Sequence, residues 1–258
     1  MANDLSSLRV MVTRPAQQAG PLIQQLQASG ANPWSFPLLE VVPHTSPLLD
    51  QLISQLDQYD IAIFISPNAV RYGVDAVKQR RAWPNRLRLA TIGKGSAQEL
   101  EDQLGRPADI VPATGSDSEA LLEHSALQEV AGKQVLIFRG RNGRELLAKT
   151  LRARGAQVDY AEVYERHRPD VDTAPLNTAL QSGSIDVILI TSNEALDNLL
   201  SMVEATNLDA LYQIPLVVIH PRQAERARQV GFIYNPILAH DGSVSAIIEA
   251  LTSLRASA

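Results

Sequence analysis

Residues 9–14, Arg-Val-Met-Val-Thr-Arg, and residues 134–139, Gln-Val-Leu-Ile-Phe-Arg, open two copies of one pattern. Thr13-Arg14-Pro15, followed by Leu22, Leu26 and Gly30-Ala31, reappears as Phe138-Arg139-Gly140, followed by Leu147, Leu151 and Gly155-Ala156, at an offset of 125. Farther along, Phe64-Ile65-Ser66-Pro67-Asn68-Ala69 answers Ile190-Thr191-Ser192-Asn193-Glu194-Ala195 at an offset of 126. Ala90-Thr91-Ile92-Gly93 answers Val217-Val218-Ile219-His220, and Gly115-Ser116 answers Gly242-Ser243, both at 127. An offset that drifts by two residues over most of the chain reads as an internal duplication, and so long a period means paired domains rather than a solenoid.

Within each copy, short runs of branched apolar residues alternate with segments of helical spacing. Residues 8–13, 61–65 and 87–92 read as strands in the first copy, and 134–138, 187–190 and 216–219 in the second. Leu22, Ile23 and Leu26, and Leu146, Leu147 and Leu151, mark helices that Gly30 and Gly155 close. Strand and helix in alternation predict α/β architecture: two doubly wound parallel-sheet domains. Two proline-bounded extended segments, 36–43 and 158–169, break the alternation and are candidates for the connection between them.

The chain has 258 residues, 45% of them hydrophobic, enough for two domain cores. Its net charge of −5, with both signs interspersed, argues against a nucleic-acid binder that uses a broad basic field. There are no cysteines, which excludes disulfides, thiolate metal sites and cysteine nucleophiles. The first residues hold no basic or apolar leader segment and no apolar run reaches membrane-spanning length, so a cytoplasmic protein without membrane contact is expected.

In open α/β sheets, ligands bind beyond the carboxyl ends of the strands. The repeated motifs fall there: Thr13-Arg14, Ser66, Lys94 and Ser96 after Gly93, Ser116, Arg139-Gly140, Thr191-Ser192-Asn193, Arg222 after His220, and Ser243. Hydroxyls, backbone amides and guanidinium groups suit an anionic ligand rich in oxygen. Each of the serines also precedes a predicted helix, where serine serves as a plain N-cap.

Other chemistries find no support. Gly93-Lys94-Gly95-Ser96-Ala97-Gln98 has Gln98 where a dinucleotide fingerprint needs a small residue, and no Walker loop or nucleophile elbow occurs. His44, His124, His167, His220 and His240 lack metal-ligand spacing, so no metal is expected, and His124 reads as a solvated helix residue. Lys78, Arg80 and Arg81 read as solvated helix surface. Tyr164 breaks the symmetry, because its slot in the first copy holds Leu39; it is either packing or a proton donor.

Val-Thr-Arg-Pro at 12–15, Ile-Phe-Ile-Ser-Pro-Asn-Ala-Val at 63–70, Ala-Thr-Ile-Gly-Lys at 90–94, Ile-Phe-Arg-Gly-x-x-Gly-Arg-Glu-Leu-Leu at 137–147, Glu-Val-Tyr-Glu-Arg at 162–166 and Ile-Thr-Ser-Asn-Glu-Ala at 190–195 together resemble the uroporphyrinogen-III synthase family. The resemblance implies a discontinuous first domain of residues 1–36 and 170–258, a second of 43–161, and a two-stranded linker of 37–42 and 162–169. It implies a cofactor-free lyase that closes hydroxymethylbilane, a linear tetrapyrrole with acetate and propionate arms, losing water and inverting ring D through an azafulvene and a spiro intermediate. It places a useful tyrosine at Tyr164 as donor to the departing hydroxyl, and hydroxyl positions at Ser66, Ser96 and Ser192. His220-Pro221-Arg222-Gln223-Ala224 departs from the family pattern, so no hydroxyl role carries to Gln223 and Arg222 becomes a candidate carboxylate ligand. The expected partners are the bilane and a transient contact with the enzyme that supplies it; a monomer is expected. The competing readings are a non-enzymatic two-lobed binding protein for an anionic small molecule and a response-regulator domain, the latter opposed by the lack of an acidic cluster after the first strand.

Overall fold

The computed structural model describes residues 5–256; the outer ends of the expected first domain, 1–4 and 257–258, lie outside the described residues. Its strands are β1 (Arg9–Val12), β2 (Asn32–Ser35), β3 (Glu40–Pro43), β4 (Ile61–Phe64), β5 (Arg88–Thr91), β6 (Gln134–Gly140), β7 (Gln157–His167), β8 (Val187–Ile190), β9 (Leu216–Val218) and β10 (Ile237–Leu238). They form two five-stranded sheets, ordered β10-β9-β8-β1-β2 and β3-β7-β6-β4-β5. The chain divides into one unit of Met1–Glu40 with His167–Ala258 and another of Val41–Arg166.

The copies have exchanged halves. β1, from the first copy, pairs in parallel with β2 and with β8 of the second. β6, from the second copy, pairs in parallel with β7 and with β4 of the first. Segments 37–42 and 162–169 contain most of β3 and the last residues of β7, which are neighbours in the second sheet, and the His44 amide donates to the Val163 carbonyl at 3.0 Å.

Composition explains which strands are central. All four residues of β4, Ile-Ala-Ile-Phe, and all four of β8, Val-Ile-Leu-Ile, are buried, because helices cover both faces of a parallel sheet. Alternate residues enter opposite cores. Ala62, Phe64, Leu136 and Phe138 pack on one face of the second sheet, while Ile61, Ile63, Val135 and Ile137 pack on the other. Met11, Ile188 and Ile190 oppose Val10, Val12, Val187 and Leu189 across the first sheet in the same way. Phe64 and Phe138 stack at 4.7 Å, so truncating either to alanine should cost about 3–5 kcal/mol.

The helix stops predicted at Gly30 and Gly155 have one geometry. Both glycines have positive φ, +84° and +86°. The Ala31 amide donates to the Leu26 carbonyl and that of Gly30 to Gln27; Ala156 and Gly155 repeat this with Leu151 and Arg152. This doubly bonded turn needs a left-handed residue that glycine supplies without strain.

Lys78 and Arg80 lie exposed and Arg81 half-buried, and all three make surface contacts: Arg80 pairs with Asp50 at 2.7 Å, Arg81 pairs with Asp57, and Lys78 donates to the Gln103 carbonyl at 2.6 Å. One surface expectation is corrected. His124 is not on a helix face. Its Nδ1 accepts from the Ala126 amide at 3.2 Å and caps the short turn Ser125–Leu127.

Candidate functional site

A doubly wound sheet has a topological switch point where loops from adjacent strands run to opposite faces and leave a crevice; the first sheet has the order 2-1-3-4-5, and β7-β6-β4-β5 of the second repeats its first four places with β6 in the role of β1. In the first unit this point lies between β1 and β8; in the second it lies between β6 and β4. Thr13-Arg14 and Thr191-Ser192-Asn193 flank the first, and Arg139-Gly140 and Ser66 flank the second.

At the first point the Thr13 hydroxyl donates to the Leu189 carbonyl and is buried, so it joins β1 to β8 and is not presented to a ligand. Arg14 follows. It is half-buried and donates to the Gly242 carbonyl, and among the described residues no carboxylate lies within ion-pair distance of it. Burial lowers its pKa, as it does for a cation short of compensating charge. Ser192 Oγ accepts from the Ala195 amide at 3.0 Å and Ser243 Oγ from the Ala246 amide at 3.2 Å. Both therefore cap helices that start at this edge. Thr191 is half-buried, and Asn193 and Arg222 are exposed. Gln223 is accounted for: its Oε1 accepts from the amides of Ile219, at 2.9 Å, and His220, at 3.1 Å, completing a capping box.

At the second point Ser66 Oγ accepts from the Ala69 amide at 3.0 Å and lies 3.2 Å from Tyr164 Oη. Tyr164 is only 4% exposed. Its ring covers Gly140 so closely that a Cβ there would stand 2.5 Å from the ring, which is why the second copy has glycine where the first has Pro15. Tyr72 packs against the same ring at 5.8 Å and donates its hydroxyl to the Val41 carbonyl.

Arg139 differs from Arg14. It is 2% exposed, and its Nη1 donates to Glu145 Oε1 at 2.9 Å. Its guanidinium lies 4.3 Å from the centre of the Tyr160 ring, and the Tyr160 hydroxyl donates to the other Glu145 oxygen at 2.7 Å. Hydrogen bonds from Tyr160 first, then Arg139, hold the Glu145 carboxyl below the ordinary glutamate range. Gly143 closes over the guanidinium, where a Cβ would come within 2.8 Å of Nη2. The second arginine thus meets a carboxylate and a phenol from its own unit.

For two of the serines the capping alternative fails. Ser96 lies within the helix Lys94–Leu104, whose cap is Gly93, and is 4% exposed. Ser116 is exposed and Asp117 caps the next helix, its carboxylate accepting from Ala120 at 2.8 Å. Gly93 is pressed against Ser116, where a Cβ would come within 2.6 Å, so these two loops meet. Lys94 is exposed at the same edge. Arg139, Arg144, Tyr160, Ser116 and the isoleucines 65, 92 and 137 line a cavity of about 270 Å³ in this unit.

Glu145 and Tyr160 are the residues that motif reasoning missed. The signal was present. At the offset of 125, the slots of Glu145 and Tyr160 in the first copy hold Gly20 and Ser35. Pairing registers agree, since Val12 faces Ser35 as Ile137 faces Tyr160.

A duplicated, half-exchanged pair of α/β units, each with an arginine and a serine-capped helix at its switch point, defines a two-unit α/β class of protein. The sequence model of the family described as "Uroporphyrinogen-III synthase HemD" matches residues 20–237. The uroporphyrinogen-III synthase of Salmonella typhimurium is 34% identical over 229 residues, covering 87% of this chain and 92% of that protein; the Escherichia coli enzyme is 32% identical over 228 residues with the same coverage. Crystal structures of uroporphyrinogen III synthases from Thermus thermophilus (a mutant form; TM-score 0.64, 16% identity, 97% of this chain and 98% of that one) and Helicobacter pylori (TM-score 0.62, 18%, 96% and 100%) have the same fold. The chain belongs to the uroporphyrinogen-III synthase family, enzymes of porphyrin and haem biosynthesis. Among the described residues no helix is long and apolar enough to cross a membrane.

Proposed function

We propose that this chain closes hydroxymethylbilane to uroporphyrinogen III and holds its carboxylates on the cations and amides at the switch points. The observation that carries the site assignment is Arg14. A half-buried guanidinium with a carbonyl partner and, among the described residues, no carboxylate retains unmet demand for an anion, and a charge-assisted bond there is worth roughly 1.5–3 kcal/mol. Its carbonyl partner Gly242 leads into the helix capped by Ser243, and Ser192 caps the helix after the neighbouring strand β8; the partial positive charge of helix N-termini favours the same ligand. Arg222, exposed beside this edge, is a further candidate; unchanged substrate affinity in Arg222→Ala would remove it.

The chemistry asks for conformation more than for acid–base power. The bilane closes by itself to the uninverted isomer, so the protein must direct the substituted carbon of ring D into attack, an effect of orientation. Anchoring several carboxylates at fixed points is a physical means to that end. The bilane's hydroxyl leaves as water and needs a proton. Tyr164 is our candidate donor, supported by its contact with Ser66 and by its absence from the first copy; its burial favours equally a role in shaping the loop at Gly140.

The test is to generate hydroxymethylbilane in situ, add the protein, oxidise the products and separate the type I and type III isomers. Type III above the spontaneous background supports the reading. Type I alone, at the uncatalysed rate, would leave a two-lobed anion-binding protein.

A further inference from the structure

The arginine of the second unit already carries a carboxylate of its own chain. A guanidinium that is 2% exposed must keep an anion, because an uncompensated charge in low dielectric is costly. Here the anion is Glu145, yet that side chain is itself 47% exposed and stands on the loop between β6 and the helix Leu146–Ala153. Around the same arginine lies the cavity of about 270 Å³, with apolar walls from three isoleucines and Leu147 and polar groups from Arg144, Tyr160, Ser116 and Ser118; Asp117 also lines it, its carboxylate accepting from the Ala120 amide at 2.8 Å. The equivalent arginine of the first unit, Arg14, meets the Gly242 carbonyl and, among the described residues, no carboxylate. One arginine is open and the other is occupied by the protein's own acid.

We propose that Glu145 is a resident carboxylate that a carboxylate arm of the ligand replaces on Arg139 and Tyr160, which makes this cavity a gated anion subsite. The exchange is like for like. Arg139 Nη1 and the Tyr160 hydroxyl keep a carboxylate partner throughout, so the buried cation is never left bare, while Glu145 moves only from a half-exposed position into water. The loop has the backbone for it: Asn142 sits at φ +60°, a left-handed position that asparagine tolerates, and is followed by Gly143. Neither Glu145 nor Tyr160 has a counterpart in the first copy, so the gate belongs to the second arginine alone.

That the incoming carboxylate belongs to the bilane rests on the function proposed above; that the site accepts a free carboxylate does not, and the two are tested separately. In Glu145→Ala, sodium acetate should raise the melting temperature in proportion to its concentration, relative to sodium chloride at equal ionic strength. The parent protein and Arg139→Met/Glu145→Ala should show no such difference. Glu145→Gln keeps the shape of the side chain but weakens it as a competitor, so the KM for the bilane should fall about threefold or more, because a neutral hydrogen bond is roughly half as strong as a charge-assisted one. Absence of acetate-specific stabilisation in a folded Glu145→Ala protein overturns the subsite. A higher KM in Glu145→Gln overturns the gate and makes Glu145 a plain structural partner of Arg139; if Glu145→Ala does not fold, this KM decides alone.

Discussion

The loops after β1 and β6 descend from one ancestral turn and now behave as opposites. In the first, Pro15 has φ −48° and precedes a helix that begins at once, Ala16–Ala28, and Arg14 meets the Gly242 carbonyl and, among the described residues, no carboxylate. In the second, Gly140, Asn142 and Gly143 delay the helix to Leu146, and the slack loop brings Glu145 back over Arg139. The backbone between strand and helix therefore accompanies the difference: an early helix start beside Arg14, a slack loop that returns a carboxylate to Arg139. Duplication supplied two cations; the residues between strand and helix gave them different surroundings.

The comparison breaks most severely at Gly140. Gly140→Ala forces a methyl group into the Tyr164 ring and should destabilise by about 3 kcal/mol, at the upper end of overpacking costs, whereas Pro15→Ala in the other copy should move the melting temperature little. Equal shifts in thermal unfolding would mean that the two turns are not under different constraint.

Next come the arginines themselves. Arg139→Met removes a stacked, paired cation and should cost about 2 kcal/mol of stability, a loss visible in denaturant unfolding. Arg14→Ala should leave stability nearly unchanged and weaken substrate binding by roughly 2 kcal/mol, read as a raised KM. A reversed pattern would exchange the roles assigned here.

Tyr164→Phe should slow turnover about tenfold, roughly 1.4 kcal/mol. An unchanged rate with a lowered melting temperature would make the phenol a packing residue.

The smallest effect is in acid. The Glu145 carboxyl is depressed in the folded state, so its contribution to stability is present above the unfolded glutamate value and is lost as pH falls through the lower folded value. The stability difference between the parent protein and Glu145→Gln should therefore shrink below about pH 4. A difference that stays constant to lower pH would mean that the carboxylate is not held by Tyr160 and Arg139.

Much of the fold was legible because it depends on local pattern. Runs such as Ile61–Phe64 and Val187–Ile190 are too uniformly apolar for a half-exposed strand, and Gly30 and Gly155 are stops that helix geometry itself requires. The site was legible as a set of positions at strand ends, since motif spacing and strand alternation suffice to place Arg14, Ser66, Arg139 and Ser192 there. Their partners were less so. Ser66, Ser192 and Ser243 cap helices, but Ser96 and Ser116 do not, because Gly93 and Asp117 took those places.

The sequence by itself determined the duplication, the α/β alternation, the residue types at the strand ends and the family, since all of these are written in order and spacing. Tertiary structure alone decided which strand of one copy lies beside which strand of the other, that Thr13 spends its hydroxyl on the Leu189 carbonyl, and that Arg139 meets the Glu145 carboxylate where Arg14 meets the Gly242 carbonyl. The physical reason is range. Strand and helix patterns come from neighbours within a few residues, whereas the state of a charge depends on burial and on groups that only the folded chain brings within hydrogen-bonding distance.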